Sequence, residues 1–276
     1  MIVAQTANDL QTLSRGRFLL GLGSQIKPHV ERRFSMPWSR PAARMREYVR
    51  AIRAIWHAWA TSGKLDFRGE FYTHTLMTPF FAPGPNSLGT PPIFVAGVGP
   101  RMIEVAGEVG DGMFVHPLNT PSYVADVVLP ALQKGFDAAG RKRSDFQISC
   151  QTIAMMGADD EQIQKARSKA RGQISFYGST PAYQVVLDHM GVGDVHPELN
   201  RLSKQGKWLE MMSLVTDDML DEIGVSGTPC EVGRKLAARN GGVVDRTMLT
   251  LYDETGDPDA VTDLVRALRE AAPSAR

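Results

Sequence analysis

The chain has 276 residues, of which 43% are hydrophobic and 22% are charged, and its formal net charge at pH 7 is +1. This composition is typical of folded globular proteins and excludes an intrinsically disordered chain. A charge so close to zero also argues against a general affinity for nucleic acid or anionic membranes, so any anion site must be local.

Apolar periodicity in the first half of the chain predicts helices and short buried strands separated by loops. The first helix carries Ala4, Ala7, Leu10 and Leu13 on one side. The strand over 17–23 is almost entirely apolar and is therefore expected to be buried on both faces. The predicted elements are, in order, a helix over residues 2–14, a strand over 17–23, a helix over 41–63, a strand or hairpin over 67–75 and a strand over 91–97.

The second half alternates strands and helices, which predicts parallel pairing through right-handed crossovers and hence an α/β fold. Five buried strands are counted, near residues 17, 92, 112, 147 and 244. A complete (β/α)8 barrel has eight. The remaining predicted elements are a helix over 100–109, a strand over 112–116, a helix over 121–139, a strand over 146–156, helices over 159–177, 181–190, 197–214, 216–223 and 229–239, a strand over 243–252 and a helix over 257–272.

The clearest chemical signal is the turn between the strand over 91–97 and the helix that starts at Pro100. Gly97 and Gly99 allow backbone N–H groups to approach an anion, and the start of the helix adds its positive end. A plain tight turn also favours glycine, and spacing alone does not separate the two interpretations. The GxGxxG dinucleotide fingerprint is excluded because Met102 stands where its third glycine would be.

Four segments together resemble the luciferase-like flavin oxidoreductases: GRFLLGLGSQ (16–25), RMREYVRAIRAIW (44–56), FRGEFY (67–72) and PPIFVAGVGPRMIEVAGEVGDG (91–112). The resemblance continues through residues 227–253 and is greatest to the branch that uses the deazaflavin coenzyme F-420. It implies a single luciferase-like (β/α)8 TIM-barrel domain over residues 1–276, with an insertion at about 24–91 and the cofactor at the C-terminal mouth. It also implies phosphate contacts from Ala96, Gly97, Val98 and Gly99.

Further cofactor contacts are predicted at the end of the first strand, where the small residues Gly21, Gly23 and Ser24 leave room for a flat ring. The alternative is that these glycines only pack a narrow barrel interior. Lys27, on the following loop, is predicted to bind the cofactor as well.

The stretch 27–53 holds eight basic residues and two acidic ones. Its positive potential suits the phosphate or the acidic oligoglutamate tail of a deazaflavin. Arg46, Arg50 and Arg53 share one helical stripe and are interpreted as a solvated face. The loop residues preferred as anion contacts are Lys27, Arg32 and Arg33.

The catalytic residues stay unidentified, with His116 as the one candidate, because it follows the third strand and could exchange a proton. A lone histidine is more often simply hydrogen-bonded. Trp38 and Tyr252 are placed near the expected pocket, although packing is the alternative for both, and Trp208 is assigned to the core. No histidine or cysteine spacing predicts a metal site.

The predicted activity is hydride transfer between coenzyme F-420 and a small organic substrate in a cytoplasmic homodimer that binds neither nucleic acid nor membrane. One alternative is an FMN-dependent monooxygenase. Another is an inactive truncated fragment that only binds a partner, because relatives carry three further strands before the position of Met1. The first helix begins without an N-cap, which motivates the hypothesis that Met1 is an internal methionine; an in-frame stop codon just upstream would refute it.

Overall fold

The computed structural model describes residues 1–272. They divide into two compact units, one formed by residues 1–114 and 131–147 and the other by residues 115–130 and those from 148 onward. The helices are α1 (Ile2–Leu13), α2 (Pro41–Thr61), α3 (Pro100–Val109), α4 (Pro121–Tyr123), α5 (Leu129–Ala139), α6 (Asp160–Gly178), α7 (Gln184–His189), α8 (His196–Lys204), α9 (Trp208–Met212), α10 (Asp217–Ile223), α11 (Pro229–Asn240) and α12 (Ala260–Ala271). The strands are β1 (Leu20–Gly23), β2 (Phe67–Arg68), β3 (Thr73–His74), β4 (Ile93–Gly97), β5 (Gly112–Val115), β6 (Gln147–Met156), β7 (Gly224–Gly227) and β8 (Arg246–Asp253).

In the first unit, β1 pairs in parallel with β4, and β5 follows β4 in the strand order. The register places Gly21 opposite Phe94 and Gly23 opposite Ala96. The carboxyl ends of β1 and β4 therefore lie side by side. This is the edge of a parallel sheet at which α/β proteins build their binding sites.

The strand β1 is shorter and more exposed than predicted. Leu20 is buried, but Gly21 and Gly23 are exposed, whereas Ile93, Phe94 and Val95 of β4 are all buried. The expectation that β1 is buried on both faces is wrong because β1 stands at the end of the strand order within residues 1–272.

The helix α2 buries the predicted apolar stripe, including Val49, Ile52 and Trp56. Its indole Trp56 Nε1 donates to the carbonyl oxygen of Ala4 at 3.0 Å, which fixes α1 on α2. The hairpin predicted after α2 is confirmed, since β2 and β3 are antiparallel with Phe67 opposite His74.

The buried face of α1 differs from the prediction. Ala4 and Ala7 are buried, but Leu10 and Leu13 are exposed and Gln11 takes the next buried position. The Gln11 amide donates to the Leu88 carbonyl and its oxygen accepts from the backbone N–H of Phe18. A polar side chain can be buried when its hydrogen bonds are satisfied, which apolar periodicity does not reveal.

In the second unit, β6 pairs in parallel with both β7 and β8. The sequence did not predict β7, because a four-residue segment with glycine at both ends carries almost no strand signal. Its Val225 packs with Met156, Leu236 and Leu264 in the core of this unit.

The predicted helix over 197–214 is two helices. Gly206, with φ +70°, interrupts the helical conformation between α8 and α9. The prediction that Trp208 belongs to the core is wrong, since its side chain is 52% exposed. Within residues 1–272, no helix is long and apolar enough to cross a membrane, and no three potential metal-ligating side chains gather at one place.

Candidate functional site

The carboxyl edge of β1 and β4 brings two groups of predicted cofactor contacts together in the first unit. The β1–β4 register pairs Gly23 with Ala96, so Ser24 and Gly97 each come one residue later on neighbouring strands. A Cβ added to Gly23 would lie 3.7 Å from the Ala96 Cβ, an ordinary contact, whereas one added to Gly21 would lie 3.0 Å from the Phe114 ring. Packing therefore accounts for glycine at 21 but leaves Gly23 free for another role.

The two glycines of the turn after β4 have different reasons to be glycine. A Cβ on Gly97 would lie 2.7 Å from Met102 Cγ, so packing of the strand against the helix requires its absence. A Cβ on Gly99 would meet no atom within 4 Å, and its backbone, at φ −74° and ψ 151°, is open to any residue. Neither packing nor backbone conformation explains Gly99, and its open position leaves room for a ligand to approach the backbone.

Gly99 is also the N-cap of α3. No side chain caps it and its first turn carries no acidic residue. The backbone N–H groups of Met102 and Ile103 donate hydrogen bonds to the Gly99 carbonyl oxygen. The positive end of a ten-residue helix therefore faces an open position, an arrangement suited to a phosphate.

A cavity of about 200 Å³ lies in the same unit beyond the carboxyl end of β1. Leu22, Gly23 and Ser24 form one wall, and the start of α2 and the β2–β3 hairpin form others. The remaining lining residues are Val30, Pro37, Trp38, Ser39, Pro41, Arg44, Met45, Tyr48 and Tyr72. The expectation that Trp38 lies near a pocket is therefore met, whereas Arg44, Tyr48 and Tyr72 are lining residues that sequence reasoning missed.

Tyr72 is held in this wall by Glu47 of α2. The Glu47 carboxylate accepts from the backbone N–H groups of Glu70, Phe71 and Tyr72 at 2.9, 2.7 and 2.6 Å. The Tyr72 ring lies 5.3 Å from the ring of Tyr48. The hairpin tip is thus fastened to α2 through three charge-assisted hydrogen bonds.

Four of the eight basic residues in the stretch 27–53 pair with acids from elsewhere in the unit. Arg46 and Arg50 both pair with Glu108, and Arg53 pairs with Asp111. All three side chains stay partly exposed, and the stripe they share is held against acids that are distant in sequence and come alongside α2 through packing. Lys27 pairs with Glu31 at 3.9 Å and is 63% exposed; it does not line the cavity, and neither do Arg32 and Arg33.

In the second unit, His116 directly follows β5 and lies within an aromatic cluster. Its ring centroid is 4.6 Å from that of Tyr177 and 4.3 Å from that of Tyr183. Its Nδ1 accepts the backbone N–H of Leu118 at 3.1 Å, which leaves the proton of the neutral ring on Nε2. Burial lowers the pKa of His116 to about 4, so the ring is neutral at pH 7.

Tyr252, near the end of β8, belongs to the same cluster through Gln173. Its hydroxyl donates to Gln173 Oε1, and Gln173 Nε2 donates to the Tyr177 hydroxyl at 2.5 Å. Burial and the nearby Tyr177 raise the pKa of Tyr252, which keeps the hydroxyl protonated. The chain of polar groups holds Tyr177 against His116, and sequence reasoning missed Gln173 because nothing marks it within α6.

Acidification should destabilise the protein through His116. The unfolded imidazole takes up a proton near pH 6.5 and the folded one only near pH 4, so the free energy of unfolding should fall as the pH drops across this window. The loss is at most about 3 kcal/mol. Urea unfolding at pH 7 and pH 4.5 measures it. His116→Gln should flatten the dependence, and a slope equal to that of the wild type would refute the assignment.

The luciferase-like monooxygenase family model matches residues 1–246. An uncharacterized protein of Mycobacterium tuberculosis is 51% identical over 248 residues, which are 90% of this chain and 73% of that protein. A 5,10-methylenetetrahydromethanopterin reductase of Archaeoglobus fulgidus is 30% identical over 239 residues, which are 84% of this chain and 66% of the reductase.

Among solved structures, the coenzyme F-420-dependent tetrahydromethanopterin reductase from Methanopyrus kandleri matches with a TM-score of 0.75 and 19% identity. The match covers 96% of this chain and 76% of the reductase. It confirms the predicted α/β fold of the luciferase-like TIM-barrel type. Strands lie at all five predicted positions, and β7 is a sixth strand besides the β2–β3 hairpin within residues 1–272, fewer than the eight of a closed barrel.

Proposed function

The chain belongs to the luciferase-like monooxygenase family, and on this premise we propose that it is an oxidoreductase that transfers a hydride between coenzyme F-420 and a small organic substrate. The observation that carries the proposal is Gly99, an open glycine at the uncapped start of α3, two residues after the end of β4. The dependence of the similar Methanopyrus kandleri reductase on coenzyme F-420 supports this cofactor.

The residues of this edge fit a phosphate-bearing cofactor. The backbone of Ala96, Gly97, Val98 and Gly99 would hold the phosphate at the start of α3. Gly23 and Ser24, on the adjoining strand, would leave space for the attached group. When bound, the deazaflavin ring would supply the position that accepts or donates the hydride.

The contribution of the protein is position and electrostatics. Uncharged His116 would donate a hydrogen bond through Nε2–H, with its ring orientation set by the Leu118 N–H and by the Tyr177 and Tyr183 rings. Because the pKa of His116 is lowered to about 4, it would hold its single ring proton across the neutral pH range. The same proposal includes that the protein works in the cytoplasm as a homodimer.

Binding titrations with F-420 and with FMN test the cofactor assignment. We expect saturable binding of F-420, seen as a change in its absorbance or fluorescence, and much weaker binding of FMN. Saturable binding of FMN with none of F-420 would reverse the assignment in favour of an FMN-dependent monooxygenase. Failure of the purified chain to bind either cofactor or to melt cooperatively on its own would favour the alternative of a non-catalytic fragment.

A further inference from the structure

The cavity beyond β1 is lined by one cationic side chain, Arg44. Arg44 Nη2 donates to Ser39 Oγ at 2.7 Å, and the guanidinium carbon lies 4.5 Å from the centre of the Phe71 ring. Within residues 1–272, no acidic side chain forms an ion pair with Arg44, unlike the cations that flank it along α2. A half-buried guanidinium held in a fixed plane with unused N–H donors is suited to binding an anion.

A second positive contribution comes from the helix that carries Arg44. The N-terminal turn of α2 forms part of the cavity wall through Pro41 and Arg44. No side chain caps this 21-residue helix, and its first turn has no acidic residue. Its positive end therefore adds to the charge of Arg44 on the same wall.

The rest of the wall is aromatic and supplies a hydroxyl donor. Trp38, Tyr48 and Tyr72 line the cavity together with the apolar Met45. Burial and the neighbouring Tyr72 raise the pKa of Tyr48, so its hydroxyl stays protonated and can donate. Flat apolar walls around one cation select a ligand with a planar apolar body and a single negative group.

We propose that this cavity is a carboxylate subsite, in which Arg44 binds the acid group and Trp38, Tyr48 and Tyr72 enclose the planar body of an aryl carboxylate. The site deepens the proposed function by assigning the substrate class, and it rests on that function only for the reaction the bound acid undergoes. Carboxylates of the coenzyme tail offer the same charged group, but they lack a flat body for the aromatic walls.

Ligand binding to the chain without coenzyme tests the subsite independently of any activity. The probes are benzoate, its neutral analogue benzamide, and γ-glutamylglutamate as a mimic of the coenzyme tail. Tryptophan fluorescence reports binding because Trp38 lines the cavity, and ligand-observed NMR provides a second readout. We expect saturable benzoate binding, at least tenfold weaker binding of benzamide, and weaker binding of γ-glutamylglutamate.

Arg40 provides a matched control, because its guanidinium lies 4.9 Å from the same Phe71 ring but is ion-paired with Glu70. Arg44→Gln should weaken benzoate binding at least tenfold, Arg44→Lys should weaken it less, and Arg40→Gln should leave it unchanged. Melting temperatures establish that each variant is folded. If Arg44→Gln does not fold, Arg44→Lys still tests the proposal. Trp38→Phe should remove the fluorescence change while NMR still detects binding.

Three results would overturn the proposal. They are an affinity for benzamide equal to that for benzoate, equal losses of benzoate affinity in Arg40→Gln and Arg44→Gln, or no saturable benzoate binding. Preferential binding of γ-glutamylglutamate would overturn the aryl substrate class and assign the cavity to the coenzyme tail. F-420 binding with no benzoate binding would refute the subsite while leaving the proposed function intact. Benzoate binding without F-420 binding would support the subsite and refute the proposed function.

Discussion

Replacing Gly99 by aspartate should remove most of the affinity for coenzyme F-420 without lowering the melting temperature. The position accepts a side chain sterically, since a Cβ there meets no atom within 4 Å. Aspartate is a better N-cap than glycine by a few tenths of a kcal/mol, so the stability should stay equal or rise slightly. The added carboxylate would stand where the phosphate binds, and repulsion of about 3 kcal/mol at short range corresponds to a roughly 100-fold loss of affinity.

Three controls separate this electrostatic effect from a packing effect. Gly99→Asn caps the helix similarly but carries no charge, so it should weaken F-420 binding by about tenfold at most. Gly97→Ala should instead lower the melting temperature, because its Cβ would clash with Met102. The deazaflavin without its phosphate should bind the wild type and Gly99→Asp equally. Unchanged F-420 affinity in Gly99→Asp would remove the phosphate site from this turn.

The segment around this turn shows which features a sequence can predict. Both bounds of α3 were predicted correctly, because Pro100 starts the helix and Gly110 follows its end, and both act locally. The distinction between Gly97 and Gly99 was not predictable. It depends on where the Met102 side chain lies, and the sequence alone offers only the identical residue type at both positions.

The charges on α2 show what a sequence cannot predict. Eight basic residues in one stretch predicted a local positive potential, yet Arg46, Arg50 and Arg53 find their carboxylates on α3 and just beyond it. Such pairs join residues about sixty positions apart, so they exist only after α2 packs in place. Arg44 differs from these three by facing the cavity instead, which periodicity along the helix could not reveal.

Removing the Glu47 carboxylate should loosen the β2–β3 hairpin and lower the free energy of unfolding by about 3 kcal/mol. A hydrogen bond to a charged group contributes about 1.5–3 kcal/mol when it is buried and less when it is half-exposed. Glu47→Ala leaves three backbone N–H groups, those of residues 70–72, without their acceptor. Urea unfolding measures the loss. Glu31→Ala, which removes only an exposed ion pair with Lys27, should cost less than about 1 kcal/mol.

Gly69 gives this prediction a stricter form. A Cβ on Gly69 would lie 2.1 Å from Glu47 Oε1, so Gly69→Ala should displace the carboxylate and destabilise the wild-type protein. In the Glu47→Ala background the obstructing atom is gone, and the same substitution should cost little. The two effects must therefore be strongly non-additive in a double-mutant cycle. Additive losses would mean that Glu47 does not fasten the hairpin, and that the position of Tyr72 in the cavity wall has another cause.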